Sequence, residues 1–263
     1  MASSVLPRRL LSSTAAMLFG VSVYPIVNPN CDDCFELEDK DPIVIKAREI
    51  AFKAGVKNPQ NVMVYVSEDG ETGGSMGANL LGRGTICISN DVYRGFHQGD
   101  GGVEWDADDE DTPTRDEAEF ILAHECVHLA KNHSLVMSSF VPVAMMSSAS
   151  LTTKVHNKFL ATLLGVGCMA IGGIYLSWCM EYEADHGAAS LGDSFHRGGL
   201  TALERSRRRN CMLKRNWKSD WITDDGNYLG DTAHPWLTTR IDHLQHLQHD
   251  CAFCSLLVTN FKV

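Results

Sequence analysis

The sequence predicts an α+β fold, mainly helical, with one small sheet and a pair of apolar helices that pair as a hairpin. Three observations lead there. Alternating, β-branched runs occur in only two short places, 61 to 67 ("NVMVYVS") and 84 to 89 ("GTICIS"). Most of the chain beyond residue 112 instead carries helical patterning. Within that part lie two uncharged stretches, 135 to 151 and 159 to 178.

The elements follow in order. Residues 1 to 36 read as a targeting or membrane-anchor segment: Arg8 and Arg9 precede an uncharged run from Leu10 to Val27, and no acidic residue comes before Asp32. A cleaved presequence of mitochondrial type, a signal anchor and a secretory signal all fit this pattern. Residues 41 to 56 predict a helix with one apolar face that ends near Gly55. An acidic stretch from Gly99 to Asp111 lacks the ligand alternation of a calcium loop and is expected to be a solvated loop. Thr114 and Glu117 form a capping box, so a helix should start near 114 and continue past His128. The stretch 159 to 178 is long enough to cross a bilayer, and its Ala161, Gly165, Cys168 and Gly172 recur at helical spacing, as contact faces do. The stretch 135 to 151 is shorter and holds Pro142; the pair can span a membrane or serve as buried core helices. The remainder is helical and polar.

At 263 residues the chain suits one domain plus an extra segment. Its net charge of -10 excludes nucleic acid as a partner, because phosphate binding needs basic surface. The one basic cluster, 204 to 218, is a solvated helix face or a contact for anionic lipid headgroups. Nine cysteines include two C-x-x-C pairs, Cys31 with Cys34 and Cys251 with Cys254. These suit disulfides in an oxidising compartment, redox pairs or a second metal site.

The chemistry concentrates in "FILAHECVHLAKNH". His124 and His128 lie four apart, so on a helix both imidazoles reach one metal ion. Glu125 is rotated off that face, where it suits a general base better than a ligand. A catalytic zinc needs a third protein ligand and an open fourth position. The metzincin continuation is absent, since Lys131 and Ser134 stand where its glycine and histidine would be, and His133 is off register. "CMEYEADHGAA" offers a better third ligand in Glu181, with Asp185 one turn on to accept the N–H of a ligand histidine.

Three motifs in order, "ILAHECVHLAKNH", "MEYEADHGA" and "HPWLTTRI", resemble the membrane zinc metallopeptidases that include the CAAX prenyl endopeptidase, the heat-shock protease HtpX and the mitochondrial inner-membrane metalloendopeptidase. Upstream, "GANLLGRGTICISNDVY" is similar to that family's edge strand, and the likeness covers about 41 to 248. The resemblance implies a zincin-like metallopeptidase domain over 37 to 263, with an active-site helix and a small edge sheet. It implies one Zn2+ per chain, held by His124, His128 and Glu181, with Glu125 as base. Asp185 and Arg240 would support the ligands, and His234 would sit near the scissile carbonyl. Thr85, Ile86, Cys87 and Ile88 would form the strand that pairs with an extended substrate.

The expected partners are protein or peptide substrates in or near a membrane, together with membrane lipids. A catalytically inactive zinc-binding membrane scaffold is the alternative, against which an intact Glu125 argues; a membrane interaction protein with an accidental motif is a weaker one. If 135 to 178 forms a membrane hairpin and 10 to 27 also spans, Arg8, Arg9, Lys154 and Lys158 fall on one face, as the positive-inside tendency asks. The domain and both C-x-x-C pairs then face the opposite side. In a mitochondrion that side is the intermembrane space, and the mitochondrial inner membrane is the favoured placement; the endoplasmic reticulum or another membrane is the alternative.

Overall fold

The computed structural model describes residues 5–28, 34–67, 74–98, 112–154 and 157–247. Helix α1 (Val5–Val27) is followed by strand β1 (Cys34–Glu36), helix α2 (Pro42–Ala54), strands β2 (Val62–Ser67), β3 (Gly74–Ala78) and β4 (Arg83–Ser89), and helix α3 (Asn90–His97). Five more helices complete the chain: α4 (Arg115–Lys131), α5 (His133–Lys154), α6 (Lys158–Ala189), α7 (Asp193–Trp217) and α8 (Leu237–Gln245). The mainly helical α+β prediction holds. The acidic stretch 99 to 111, and with it the calcium question, lies outside the described residues.

Local signals explain the boundaries. Asp41 caps α2 by accepting from the Ile43 N–H, and Gly55 closes it at φ 92, a left-handed value that favours glycine. At α4 the expected capping box is complete: Thr114 Oγ1 accepts from the Glu117 N–H, and Glu117 Oε2 accepts from the Thr114 N–H. Glu117 is itself buried, and Arg205 of α7 balances its charge at 3.3 Å.

The sheet runs in the order β1-β2-β4-β3, with β2 and β4 parallel and both outer pairs antiparallel. This corrects the expected edge strand. Thr85 and Ile86 pair with β2 on one side and β3 on the other, so no open edge faces a substrate there. Both residues are buried, because β4 sits in the middle of the sheet against α4. The edges are β1 and β3, each too short and polar to stand out as a strand in the sequence.

Helix α4 is the centre of the domain. It contacts α2, α3, α6 and α7 as well as β3 and β4, and its Leu122 and Leu129 are fully buried. Complete burial of such a side chain contributes about 1.5–3 kcal/mol. Close approach depends on missing side chains. A Cβ on Gly198 of α7 would overlap the carbonyl oxygen of Asp116, and one on Gly187 of α6 would lie 2.9 Å from the Val127 methyls.

Helix α5 packs against α1 and against the N-terminal half of α6, while the C-terminal half of α6 belongs to the core. These helices leave large apolar side chains exposed, among them Met17, Val143, Phe159, Leu163 and Ile171. Among the described residues α6 is the one helix long and apolar enough to cross a membrane. Its contact face is the expected one in part. Ala161 is buried, Gly165 sits against Ser148 and Gly172 against Phe140, but Cys168 is exposed, because it points away from α5.

The α4–α7 contact gives a direct test. Gly198→Ala should cost about 1–3 kcal/mol, since a backbone carbonyl cannot give way as a side chain does. Gly20→Ala, with nothing within 4 Å of its Cβ position, should be neutral by the same thermal-unfolding measurement.

Candidate active site

Four-residue spacing on α4 brings His124 and His128 to one face, with ring centroids 4.7 Å apart and Nε2 atoms 3.0 Å apart. Helix α6 lies against that face and adds Glu181. Its Oε2 is 3.5 Å from His124 Nε2 and its Oε1 is 3.3 Å from His128 Nε2. The donor atoms of these three residues all lie within 4.8 Å of one another, so they could hold a metal ion.

Supporting groups set the direction of each donor. Asp185 is fully buried, and its Oδ1 lies 2.9 Å from His124 Nδ1. A carboxylate only accepts, so Nδ1 carries a hydrogen, and Nε2 is the nitrogen that turns inward and can offer a lone pair once its own proton is displaced. Arg240 of α8 donates to both Asp185 oxygens at 2.7 Å, and another of its nitrogens is 3.4 Å from Glu181 Oε2. Burial alone would raise the Asp185 pKa, but the Arg240 charge and hydrogen bonds hold it down at about 2. Burial would likewise lower that of His124; the adjoining Asp185 and Glu181 carboxylates outweigh it and push the metal-free imidazole up to about 10.

The fit to zinc rests on the donor set and on one orphaned atom. Glu181 Oε2 is buried and accepts no well-aligned hydrogen bond among the described residues; its charged neighbours Arg240 and His124 stand 3.4 and 3.5 Å away. Two imidazole nitrogens and a carboxylate on one point, with the remaining side facing a cleft, match a catalytic zinc site with an open position. A cation there would satisfy the orphaned oxygen.

That cleft has a volume of about 550 Å³. Glu125 lines it beside His124 and Glu181, and Ile88, Val92, Phe120, Leu203 and Trp236 supply apolar walls. His234 also lines the cleft, half exposed, with Nε2 3.8 Å from Glu181 Oε1. Its Nδ1 is 2.7 Å from Asp231 Oδ2, while Asp231 Oδ1 accepts from the backbone N–H groups of Ala233 and His234. The loop itself is pinned to α6, where Ser177 and Trp178 donate to the carbonyls of Ala233 and Thr232. Of the expected substrate strand, Cys87 and Ile88 reach the cleft, and Ser89 follows them. Cys126, next to Glu125, is no reactive nucleophile: it is buried and burial pushes its thiol far up.

The structure thus brings together His124, Glu125, His128, Glu181, Asp185, His234 and Arg240. A family model for peptidase family M48 matches residues 41–248, a span that contains every one of them. The chain belongs to peptidase family M48. It is therefore a member of a family of metallopeptidases. No curated protein and no solved structure matches the chain. The M48 match starts at α2, so α1 precedes it.

Three residues around this M48 site were not singled out as contributors by the sequence. Asp231 stands three before His234, the turn spacing at which a carboxylate can reach a histidine, and "DTAH" carried that signal. His133 and Glu183 lie within the quoted motifs but gave no sign of meeting. Cys34, from the first C-x-x-C pair, is disulfide-bonded, so its sulfur is not a metal ligand; Cys31, Cys251 and Cys254 lie outside the described residues.

Because the metal-free His124 holds its proton up to about 10, a metal cation must displace it. Zinc affinity should therefore rise about tenfold per pH unit from about pH 7 to 9 and flatten as pH passes the imidazole's own pKa. Competition with a chromophoric chelator at several pH values measures the slope. A flat profile would mean that His124 is already neutral.

Proposed function

We propose that the protein is a zinc-dependent metalloendopeptidase that hydrolyses peptide bonds of membrane or membrane-proximal proteins. The observation that carries this reading is the convergence of His124, His128 and Glu181 on one point in a cleft that Glu125 also lines. When bound, a zinc ion supplies Lewis acidity, which acidifies a water molecule and polarises a carbonyl. His124 and His128 would hold it through Nε2 and Glu181 through its carboxylate.

The chain's own groups do the rest. Glu125, off the ligand face, accepts the proton of the attacking water and returns it to the departing amine. His234 has its Nδ1 tied to Asp231, which aims Nε2 into the cleft; in its doubly protonated form it donates to the oxygen on which charge develops. Arg240 neither binds nor reacts. It neutralises Asp185 and keeps that carboxylate fixed under His124. An extended peptide would lie along the cleft end of β4, where Ile88 has a partner only in β2 among the described strands. The apolar walls favour a hydrophobic side chain next to the cleaved bond.

A site built only to hold metal has no use for a base, which sets this reading above the inactive scaffold. Glu125→Gln should abolish peptide hydrolysis, since the amide cannot take the proton, while about one zinc per chain remains. Loss of zinc together with activity would show Glu125 to be a ligand.

The membrane part of the proposal rests on α1, α5 and α6. Helices α5 and α6 meet again at their site ends, where His133 and Glu183 are 3.3 Å apart. A bilayer would cover the exposed apolar faces of this hairpin, with the cleft at its surface. The arginine-bearing, acid-free N-terminus and the positive-inside pattern favour placement in the mitochondrial inner membrane, with the domain in the intermembrane space. Alkaline carbonate should leave the full chain in the membrane fraction, and tags at residue 155 and the C-terminus should differ in protease protection. Full release, or co-protection of both tags, would overturn the hairpin.

A further inference from the structure

The two ligand histidines are held in different ways. His124 rests directly on the Asp185 carboxylate. His128 turns its Nδ1 to the Nδ1 of another histidine, His133, at 2.9 Å. The Nε2 of His133 is 3.3 Å from Glu183 Oε2, and the other Glu183 oxygen is 2.7 Å from Lys131 Nζ. We infer that His133 and Glu183 form a hydrogen-bonded relay that positions His128 as a metal ligand. The inference rests on the zinc-peptidase reading and deepens it by adding two positioning residues.

The order of hydrogens follows from donor and acceptor rules. Glu183 as a carboxylate only accepts, so the hydrogen on His133 belongs on Nε2. Its Nδ1 is then a lone pair. Two ring nitrogens 2.9 Å apart share one hydrogen, and that hydrogen must come from His128 Nδ1. His128 Nε2 is left as a lone pair, directed at the point where His124 Nε2 and Glu181 also converge. The relay thus does for His128, through two residues, what Asp185 does for His124 through one: it selects the tautomer and the ring orientation that a metal needs.

A break in the helix makes the contact possible. On an uninterrupted helix, a residue five positions on is rotated by about 140° from His128. Here α4 ends at Asn132, which adopts a left-handed φ of 59 and accepts from the Leu80 N–H through its side chain. Asparagine tolerates that conformation better than most residues. The chain then restarts as α5 at His133, whose buried ring packs edge-on to His128 at 4.8 Å. The relay therefore joins three helices. His128 is on α4, His133 opens α5 and Glu183 lies two residues beyond the ligand Glu181 on α6.

Zinc affinity of the full purified chain, measured by competition with a chromophoric chelator, tests this. His133→Leu removes the acceptor and should weaken zinc binding about 10- to 100-fold. His133→Gln, whose amide can accept from His128 and donate to Glu183, should recover most of that loss. Glu183→Ala should weaken binding in the same direction, and the double variant His133→Leu/Glu183→Ala should be little worse than His133→Leu alone, because the two residues act in series. Ring nitrogen chemical shifts of the zinc-loaded wild type should show His128 protonated at Nδ1. Unchanged affinity in both single variants, or additive losses with no rescue by glutamine, would overturn the relay while leaving the peptidase reading intact. A wild-type chain that took up no zinc would remove the peptidase reading, and the relay with it.

Discussion

A single buried carboxylate holds the site's geometry. Asp185, with no exposed surface, receives two hydrogen bonds from Arg240 of α8 and one from His124 of α4, while its own backbone belongs to α6. A lone charge at that depth would be strongly unfavourable; bidentate pairing with a guanidinium is the arrangement that makes it tolerable. The consequence is positional. Three helices from distant parts of the chain can satisfy Asp185 only in one relative placement, and that placement sets His124 Nε2 and Glu181 on a common point. Losing one partner of such a buried pair costs about 3–5 kcal/mol, because the other charge is left buried and uncompensated.

The same logic extends outward in layers. The donor atoms form the inner layer, and Asp185 and Arg240 form the next. The loop that carries Asp231 and His234 closes the rim because Ser177 and Trp178 of α6 bind its carbonyls. Helix α6 therefore contributes Glu181 and Asp185, the anchor for the rim loop and the long apolar stretch at its other end. One continuous helix couples the apolar region and the site, so the two cannot shift independently without bending it.

Much of this was legible in the residues because it depends on local periodicity. The four-residue spacing of His124 and His128 needed only a helix, and the Thr114–Glu117 box marked where that helix starts. The strands at 62–67 and 83–89 declared themselves by alternation. What failed to show in the sequence was pairing. Strand β3 holds Gly74, Ser75 and Gly77, which carry no strand signal, yet it covers one side of β4 and removes the edge on which a substrate was expected. His133 was off register on a straight helix. It joined the site through the break at Asn132, a backbone event that periodicity does not report.

By itself the sequence determined the donor types, their order and the helix that spaces two of them, because those depend on chemistry and on contacts within one turn. Only the tertiary structure decided which atoms converge. Asp185, Arg240, His133 and Glu183 meet their partners across helix packing. Such contacts are selected by the burial of charge and the fit of close-packed helices, which no local pattern encodes.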